Sequence, residues 1–588
     1  MDKKLHMIGN AHLDIVWLWP REEGLQEVKA TFKSALDRIE ETGDFVFTAA
    51  GAYYYKFVEE NAPELFARIK QQVEAGNWVI VGGWWLQPDC NLPCGESFAR
   101  HGLYGQGYFR EKFERQAVVG YNVDSFGHNG NLPQLLKQSG LDYYVFMRPG
   151  QHEKELPGSL FEWEAPDGSS VLAYRIPPGY NQSSRWGDSL IDKISGVARM
   201  AEEQNRDLMC FYGVGNHGGG PTRDNLQNIK QLQQEGEYNL EFSSPDCYFD
   251  SVKDRYQHPV VADELQFHAI GCYSAQSEIK KNNRLAENRL LMAEKFGVVA
   301  RVIKGAGYPG ADLRQAWQRV LLNQFHDTLG GCSIKPVYRD ARNLQGQALA
   351  LAGDHLNQAL QKLSWNVDTG GEGLPVVVFN PQPWPVEATI EVNRPAEAVF
   401  DDQGHEYRAQ IVTGKALAPW FNFRTIFRAQ LPALGYRLFR FRGVDKRLTR
   451  DDVELIADRT ASPPVLENDY LRVIFDKQLG YIEKIQDKER GLDYLAEEGY
   501  GARPLIIEDT TDTWSHGIES YRGLTGEADC RSLNWVEKGP VRDRIRVTHI
   551  YGDSTIKQDF ILDQGSRQLE CRVKVDWQQQ HRLLKLGF

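Results

Sequence analysis

The sequence predicts a multidomain protein with an α/β N-terminal part, a helical middle and an all-β remainder. Three observations predict it. Short apolar runs alternate with amphipathic stretches over the first third of the chain and beyond. Three long helical patterns follow Ser274. Past residue 373, apolar residues alternate with polar ones between turn residues. At 588 residues the chain is too long for one core, so several domains are expected.

In the N-terminal part "KLHMIGNAH" reads as a strand, and "TFKSALDRIEETG" as a helix closed by glycine. "DFVFTAAGAY", "WVIVGGWWL", "QAVVGYNVD", "YYVFMRP" and "LMCFYGVGN" are further short apolar runs, each leading into polar or Gly-rich residues. Strand-then-helix alternation implies a mainly parallel sheet with helices outside it. Functional groups in such folds gather beyond the carboxyl ends of the strands. His12, Asp14, Asp124 and Asn216 all sit at such ends.

The middle begins with "SEIKKNNRLAENRLLMAEKFGVVARVI", whose polar face alternates acids and bases. "DLRQAWQRVLLNQFHDTLGG" reads as a second helix stopped by Gly330 and Gly331, and "QGQALALAGDHLNQALQKLSW" as a third. Three such helices predict a small bundle. "NVDTGGEGLP" is a linker, after which "LPVVVFNPQPWPVEATIEV", "YLRVIFDKQLGYIEKIQDKERG" and "DRIRVTHIYGDSTIKQDFILD" read as sandwich strands. The chain stops inside "HRLLKLGF", which reads as a strand, so the last domain is expected to be incomplete.

A formal charge of -12 argues against nucleic acid or an anionic membrane as the partner. No apolar run approaches a membrane span, and the N-terminus lacks a signal-peptide pattern. Eight scattered cysteines read as reduced thiols, which predicts a cytoplasmic protein. Aromatic residues make up 11% of the chain; they suit large cores, and they also suit sugar rings.

Three stretches carry chemistry. "GNAHLDIVWLWP" puts His12 and Asp14 two residues apart, on one face of an extended segment. That pair is either a hydrogen-bonded strand end or half of a metal site. "YNVDSFGHNGNLP" sets Asp124 just past an apolar strand, where a carboxylate points into a cleft or caps a turn. "LLNQFHDTLGGCSI" puts His326 and Asp327 in the last turn of an apolar helix, where the dipole favours a histidine. Together His12, Asp14, Asp124 and His326 form a nitrogen–oxygen set that suits Zn²⁺, with Co²⁺ or Mn²⁺ as substitutes.

These blocks, with "GGWWLQPDCNLPCGESFARHGLYGQGYF", "ELQFHAIGCYSAQSEIKKNNRLAENRLL", "LENDYLRVIFDKQLGYIEKIQDKERG" and "DTTDTWSHG", resemble glycoside hydrolase family 38, the α-mannosidases, in a fixed order across nearly the whole chain. The resemblance implies a seven-stranded α/β barrel over 1–265 and a three-helix bundle over 266–367 that contributes a metal ligand. It implies a β-sandwich over 373–460 and the start of a large β domain over 461–588. It also implies zinc on His12, Asp14, Asp124 and His326, with Asp124 as nucleophile of a retaining α-mannosidase. Retaining enzymes pair a nucleophilic carboxylate with an acid about 5–5.5 Å away.

The acid is where this chain departs from the family pattern. "GVGNHGGGPTRDN" has Asn216 where similar family members carry an Asp in a Gly-rich block. His217 is the first candidate for the proton donor. Asp224, Asp89 and Asp512 stand behind it. Trp84, Trp85, Asp89 and Glu96 fall in a family-like block and are candidates to line the cleft, although the tryptophans read equally well as core. His128 is read as a partner orienting Asp124 or as a substrate contact, and Asp327, Asp512, Trp514 and His516 as substrate contacts. The expected partner is an α-mannoside; exposed edges on a cut β domain would favour self-association. Two other functions fit the residues: a metal-dependent carbohydrate deacetylase, and a sugar-binding protein that has lost catalysis.

Overall fold

A computed structural model of the chain describes residues 3–177, 179–181, 189–414, 423–443, 464–496, 499–518 and 520–588. The chain divides into two compact units. One holds 1–297, 307–357 and 512–516; the other holds 298–306, 358–511 and 517–588.

The first unit opens with β1 (Lys4–Asn10), whose residues from Leu5 onward are buried. Helix α1 (Arg21–Thr42) follows and buries Leu25, Val28, Phe32, Leu36 and Ile39, a stripe at the 3–4 residue spacing of one helix face. Gly43 ends it at φ 76°, donating its N–H to Ile39 O. The helix is longer than the sequence pattern indicates: it starts directly after Pro20, with Glu22 and Glu23 in its first turn.

Strands β2 (Phe47–Ala50) and β3 (Trp78–Val81) continue one sheet outward from β1. A strand over Leu208–Tyr212 and one over Asn239–Phe242 pair with β1 as well. All these pairs are parallel, with Leu5 opposite Leu208 and Gly9 opposite Tyr212. The ends of β1 and of strand Leu208–Tyr212 therefore emerge side by side. A second five-stranded sheet runs Val260–Val261, Leu160–Glu164, Ser170–Arg175, Tyr143–Phe146, Val119–Asn122, with one antiparallel pair. Gly82 N–H donates to Val119 O at 2.7 Å, joining the two sheets.

Three long helices follow: Ser277–Lys304, Gly310–Asn323 and Lys335–Ser364. Ala286, Ala293, Ala316, Ala348 and Ala352 pack with Leu290, Leu313 and Trp317 in one cluster. Small side chains there let the helices approach closely around the Trp317 ring. No helix of the described residues is long and apolar enough to cross a membrane.

The second unit is built of antiparallel sheets. Leu374–Phe379, Tyr436–Arg442, Ala398–Asp401 and Glu406–Tyr407 form one sheet; Val386–Val392, Phe423–Leu431 and Ala409–Thr413 form another. Val399, Phe427, Phe439 and Phe441 share one core, as inward-facing residues of a sandwich do. Further on, Val473, Phe475, Ile545, Val547 and Phe560 form a separate core from two more four-stranded sheets. The expected boundary at 460/461 lies outside the described residues.

Candidate active site

The segment after β1 is held by its neighbours on both sides. Asn216 N–H donates to His12 O at 2.7 Å, and Asp14 N–H donates to Asn216 O at 2.8 Å. The Tyr54 hydroxyl donates to Leu13 O at 2.6 Å, and Trp19 Nε1 donates to Asp14 O at 2.9 Å. His12 and Asp14 thus face one way from a buried segment whose carbonyls are all bonded. Asn216 itself has φ 65°, a left-handed conformation that asparagine tolerates better than most residues.

His326 is placed differently from the sequence expectation. The helix Gly310–Asn323 ends before it, and His326 begins a separate one-turn helix, His326–Leu329. Between them Phe325 is extended (φ -49°, ψ 139°) and bridges Pro88, while Asp89 N–H donates to Gln324 O at 2.8 Å. The helix breaks because pairing with residues 88–89 satisfies its backbone instead. That break lets the His326 Nδ1–H reach Gln87 O at 3.2 Å, leaving Nε2 to face inward.

The inward atoms converge. His12 Nε2 is 2.8 Å from Asp14 Oδ1 and 3.9 Å from Asp124 Oδ2; His326 Nε2 is 3.4 Å from Asp14 Oδ1 and 3.7 Å from Asp327 Oδ2. His12, Asp124 and His326 form one potential metal-holding set, and Asp14, His326 and Asp327 another. His12 Nε2, Asp14 Oδ1 and His326 Nε2 are buried without a hydrogen-bond partner. Buried polar atoms left so are costly unless something bonds them. The cluster calls for positive charge. Burial opposes ionisation of Asp14, but the charges of His12 and His326 outweigh it and hold the carboxyl at about 2. Burial alone would lower His326; the charges of Asp327, Asp14 and Asp124 push it up to about 9. Asp327 itself is pushed well above the usual range, by burial and then by the Asp14 charge. Two imidazoles and carboxylate oxygens at these spacings fit a divalent cation such as zinc.

Asp124 closes this cluster and also lines a cleft of about 350 Å³. Arg148 Nε donates to its Oδ1 at 3.0 Å, and the Tyr180 hydroxyl lies 3.1 Å from its Oδ2. Burial, then the Asp124 and Asp14 charges, raise the Tyr180 phenol well above its usual value, so it stays a donor. Tyr180 Oη is also 2.7 Å from the Asn216 side-chain amide. The phenol stands between the two side chains, and its one proton serves Asn216 Oδ1 or Asp124 Oδ2 at any moment. Trp17, Phe126 and Trp514 supply aromatic walls, and His268 and His516 also line the cleft. Each of these histidines is backed by a carboxylate: Glu153 at 2.5 Å and Asp512 at 2.6 Å.

Several expected residues stand elsewhere. His217 is about half exposed, bonds Glu23 at 2.9 Å and packs edge-on against Trp19; it is not among the residues lining the cleft. Its neighbour Asn216 takes the inward direction, and adjacent residues on a bridged segment diverge. Asp224 is exposed in the first turn of helix Arg223–Glu235, behind the Thr222 capping box. Trp84 is buried against Phe98 and His101, and Trp85 is buried against Tyr53, both as core. Asp89 is buried and accepts the N–H groups of Asn91 and Leu92, closing a turn. Glu96 pairs with Arg100 on its own helix. His128 does not touch Asp124; its ring holds Arg148 O at 2.9 Å and Tyr144 Oη at 2.8 Å. Arg148, Tyr180 and His268 are the cleft residues that sequence reasoning missed. "FMRP" and "PPGY" each offered one polar residue just past an apolar run, the only signal available.

Residues 2–269 match the glycosyl hydrolases family 38 N-terminal domain, 266–363 the alpha mannosidase middle domain, and 466–588 the family 38 C-terminal domain. Alpha-mannosidase G of Dictyostelium discoideum is 27% identical over 620 residues, covering 98% of this chain and 56% of that protein. Alpha-mannosidase 2C1 of Homo sapiens is 26% identical over 597 residues, covering 99% and 54%. The chain thus spans about half the length of these curated relatives. The crystal structure of an alpha-mannosidase from Enterococcus faecalis V583 superposes with TM-score 0.79 at 19% identity, covering 100% of this chain and 75% of that one; the fold is shared.

Proposed function

We propose, from the premise that the chain belongs to glycosyl hydrolase family 38, that it is a zinc-dependent, retaining α-mannosidase with Asp124 as its nucleophile. The observation that carries this reading is the meeting of His12 Nε2 and His326 Nε2 at Asp14 Oδ1, 2.8 and 3.4 Å from it and all buried, beside a carboxylate that lines the cleft. We read β1, β2, β3 and Leu208–Tyr212 of one sheet with Val119–Asn122, Tyr143–Phe146 and Ser170–Arg175 of the other, joined at Gly82 and Val119, as the expected seven-stranded barrel.

His12, Asp14, Asp124 and His326 would hold the metal. Zinc there supplies Lewis acidity and a grip on adjacent sugar hydroxyls. The chain's own residues do the rest. Arg148 and Tyr180 fix the two Asp124 oxygens, so the carboxylate is oriented before the sugar arrives. The Asp124 oxygen attacks the anomeric carbon as the bond to the aglycone oxygen breaks and the aglycone departs with that electron pair; water then adds to the same carbon, releasing mannose and the Asp124 carboxylate. Asp327, buried and lining the cleft, would bond a sugar hydroxyl. Trp17, Phe126 and Trp514 pack on the apolar faces of the ring and exclude water. His128 positions Arg148 through the Arg148 carbonyl.

The test is hydrolysis of an activated aryl α-mannoside by protein stripped with chelator and then reloaded with zinc. Turnover that disappears on stripping and returns on reloading supports the reading. Turnover indifferent to chelator, or no turnover with zinc, refutes it.

A further inference from the structure

Asn216 and Asp124 are tied to one phenol. Tyr180 Oη lies 2.7 Å from Asn216 Oδ1 and 3.1 Å from Asp124 Oδ2. Two bonds of that length hold the side-chain ends within about 6 Å, which brackets the spacing at which a retaining glycosidase keeps its proton donor. The group in that place is a carboxamide. An amide binds a hydroxyl or an oxyanion through its NH₂, but it has no proton to give up to a leaving oxygen.

The other proton carriers of the cleft are committed elsewhere. Asp327 accepts the Cys332 thiol at 3.0 Å and faces His326. His268 is held by Glu153 and stands beside the Phe126 ring, 5.8 Å between centroids. His516 is held by Asp512 and stacks on Trp514. None of them shares the Tyr180 bridge that sets a group opposite Asp124.

We propose that Asn216 restricts this site to glycosides whose aglycone departs as a stable oxyanion, such as a phosphate, a carboxylate or an electron-poor phenolate. This rests on the reading of Asp124 as nucleophile. As the Asp124 oxygen bonds to the anomeric carbon, the bond to the aglycone oxygen breaks and its electron pair leaves on that oxygen, unprotonated. The Asn216 NH₂ and the aglycone oxyanion make a hydrogen bond without proton transfer. Water then adds to the anomeric carbon, Asp124 is released as carboxylate, and the proton of that water passes to solvent.

The experiment compares zinc-loaded wild type and Asn216→Asp on a series from 2,4-dinitrophenyl to methyl α-mannoside, with α-mannosyl phosphate alongside. Wild type should lose at least ~10⁴-fold in kcat/KM along the series and cleave the phosphate. Asn216→Asp should gain ~10²–10⁴-fold on the methyl glycoside, the usual worth of a general acid. Azide, an anion needing no base, should speed wild-type turnover of the dinitrophenyl substrate and give a mannosyl azide of retained configuration. Wild type that cleaves methyl α-mannoside within tenfold of the dinitrophenyl substrate overturns the inference and points to His268 or His516 as donor, while leaving the mannosidase reading intact. That arm needs no variant to fold. Failure of wild type on the dinitrophenyl substrate sinks the mannosidase reading and this inference with it.

Discussion

His326 Nε2 stands 3.4 Å from Asp14 Oδ1, and both atoms are buried without a hydrogen bond. One residue follows the first strand and the other starts a one-turn helix in the helical middle. Only a shared cation or a shared proton makes that approach favourable. One tightly bound zinc per chain is therefore expected by elemental analysis, and less than a tenth of that in His326→Ala. Equal metal content in the two proteins would argue that the cluster holds none.

Metal should also hold this unit together. A ligand bound only by the folded state stabilises it by about 4 kcal/mol at a thousandfold excess over Kd. Stripping with chelator should lower the first unfolding transition by several degrees, with recovery on adding zinc. No shift in that transition would place the ion outside the folded core.

Tyr180→Phe removes the donor shared by Asp124 and Asn216. We expect kcat to fall roughly 10–100-fold with KM little changed, because orientation of the nucleophile is felt most in the transition state. The stability cost should be about 0.5–1.5 kcal/mol, the net worth of one hydrogen bond to a half-buried amide. A variant with wild-type kcat would remove Tyr180 from the mechanism.

Gly24 lies in the first turns of α1, where alanine would ordinarily add helix stability. A Cβ there would meet Ile15 O at 2.2 Å. Gly24→Ala should therefore destabilise the unit, and it should weaken zinc binding by displacing the backbone next to Asp14. Unchanged thermal stability and zinc affinity would show that the segment yields freely.

Burial lowers three histidines of the first unit: His6 to about 4, His101 to about 3 and His128 to about 3. Unfolded, each takes a proton below about 6.5; folded, each refuses it until far lower pH. Their stabilisation is complete above pH 6.5 and lost as pH falls toward 4 and then 3. Denaturant unfolding at pH 7 and pH 5 should show a decline, and His101→Gln, which cannot titrate, should shrink it by about 1.4 kcal/mol per pH unit in that window. An identical pH dependence in the variant would be the contrary result.

Much of the fold was legible because periodicity reports local structure. The strand before His12 and the three helices of the middle read directly from apolar spacing. The nearness of His12, Asp14, Asp124 and His326 was legible because each sits at an element end. Tyr180 and Arg148 were not, since their roles arise only when loops from different strands meet over Asp124. His217 misled for a similar reason: sequence adjacency to Asn216 says nothing about which of two neighbours a backbone bridge turns inward. The break at Phe325 was hidden in an unbroken helical pattern, because the pairing that causes it lies with Pro88.

The most direct measurement is to trap the zinc-loaded protein with a fluorinated mannosyl substrate carrying a good leaving group, then map the label by peptide mass spectrometry. The account predicts a single mannosyl adduct on Asp124, absent from Asp124→Ala. A label on any other side chain, or turnover with no adduct at all, would contradict it.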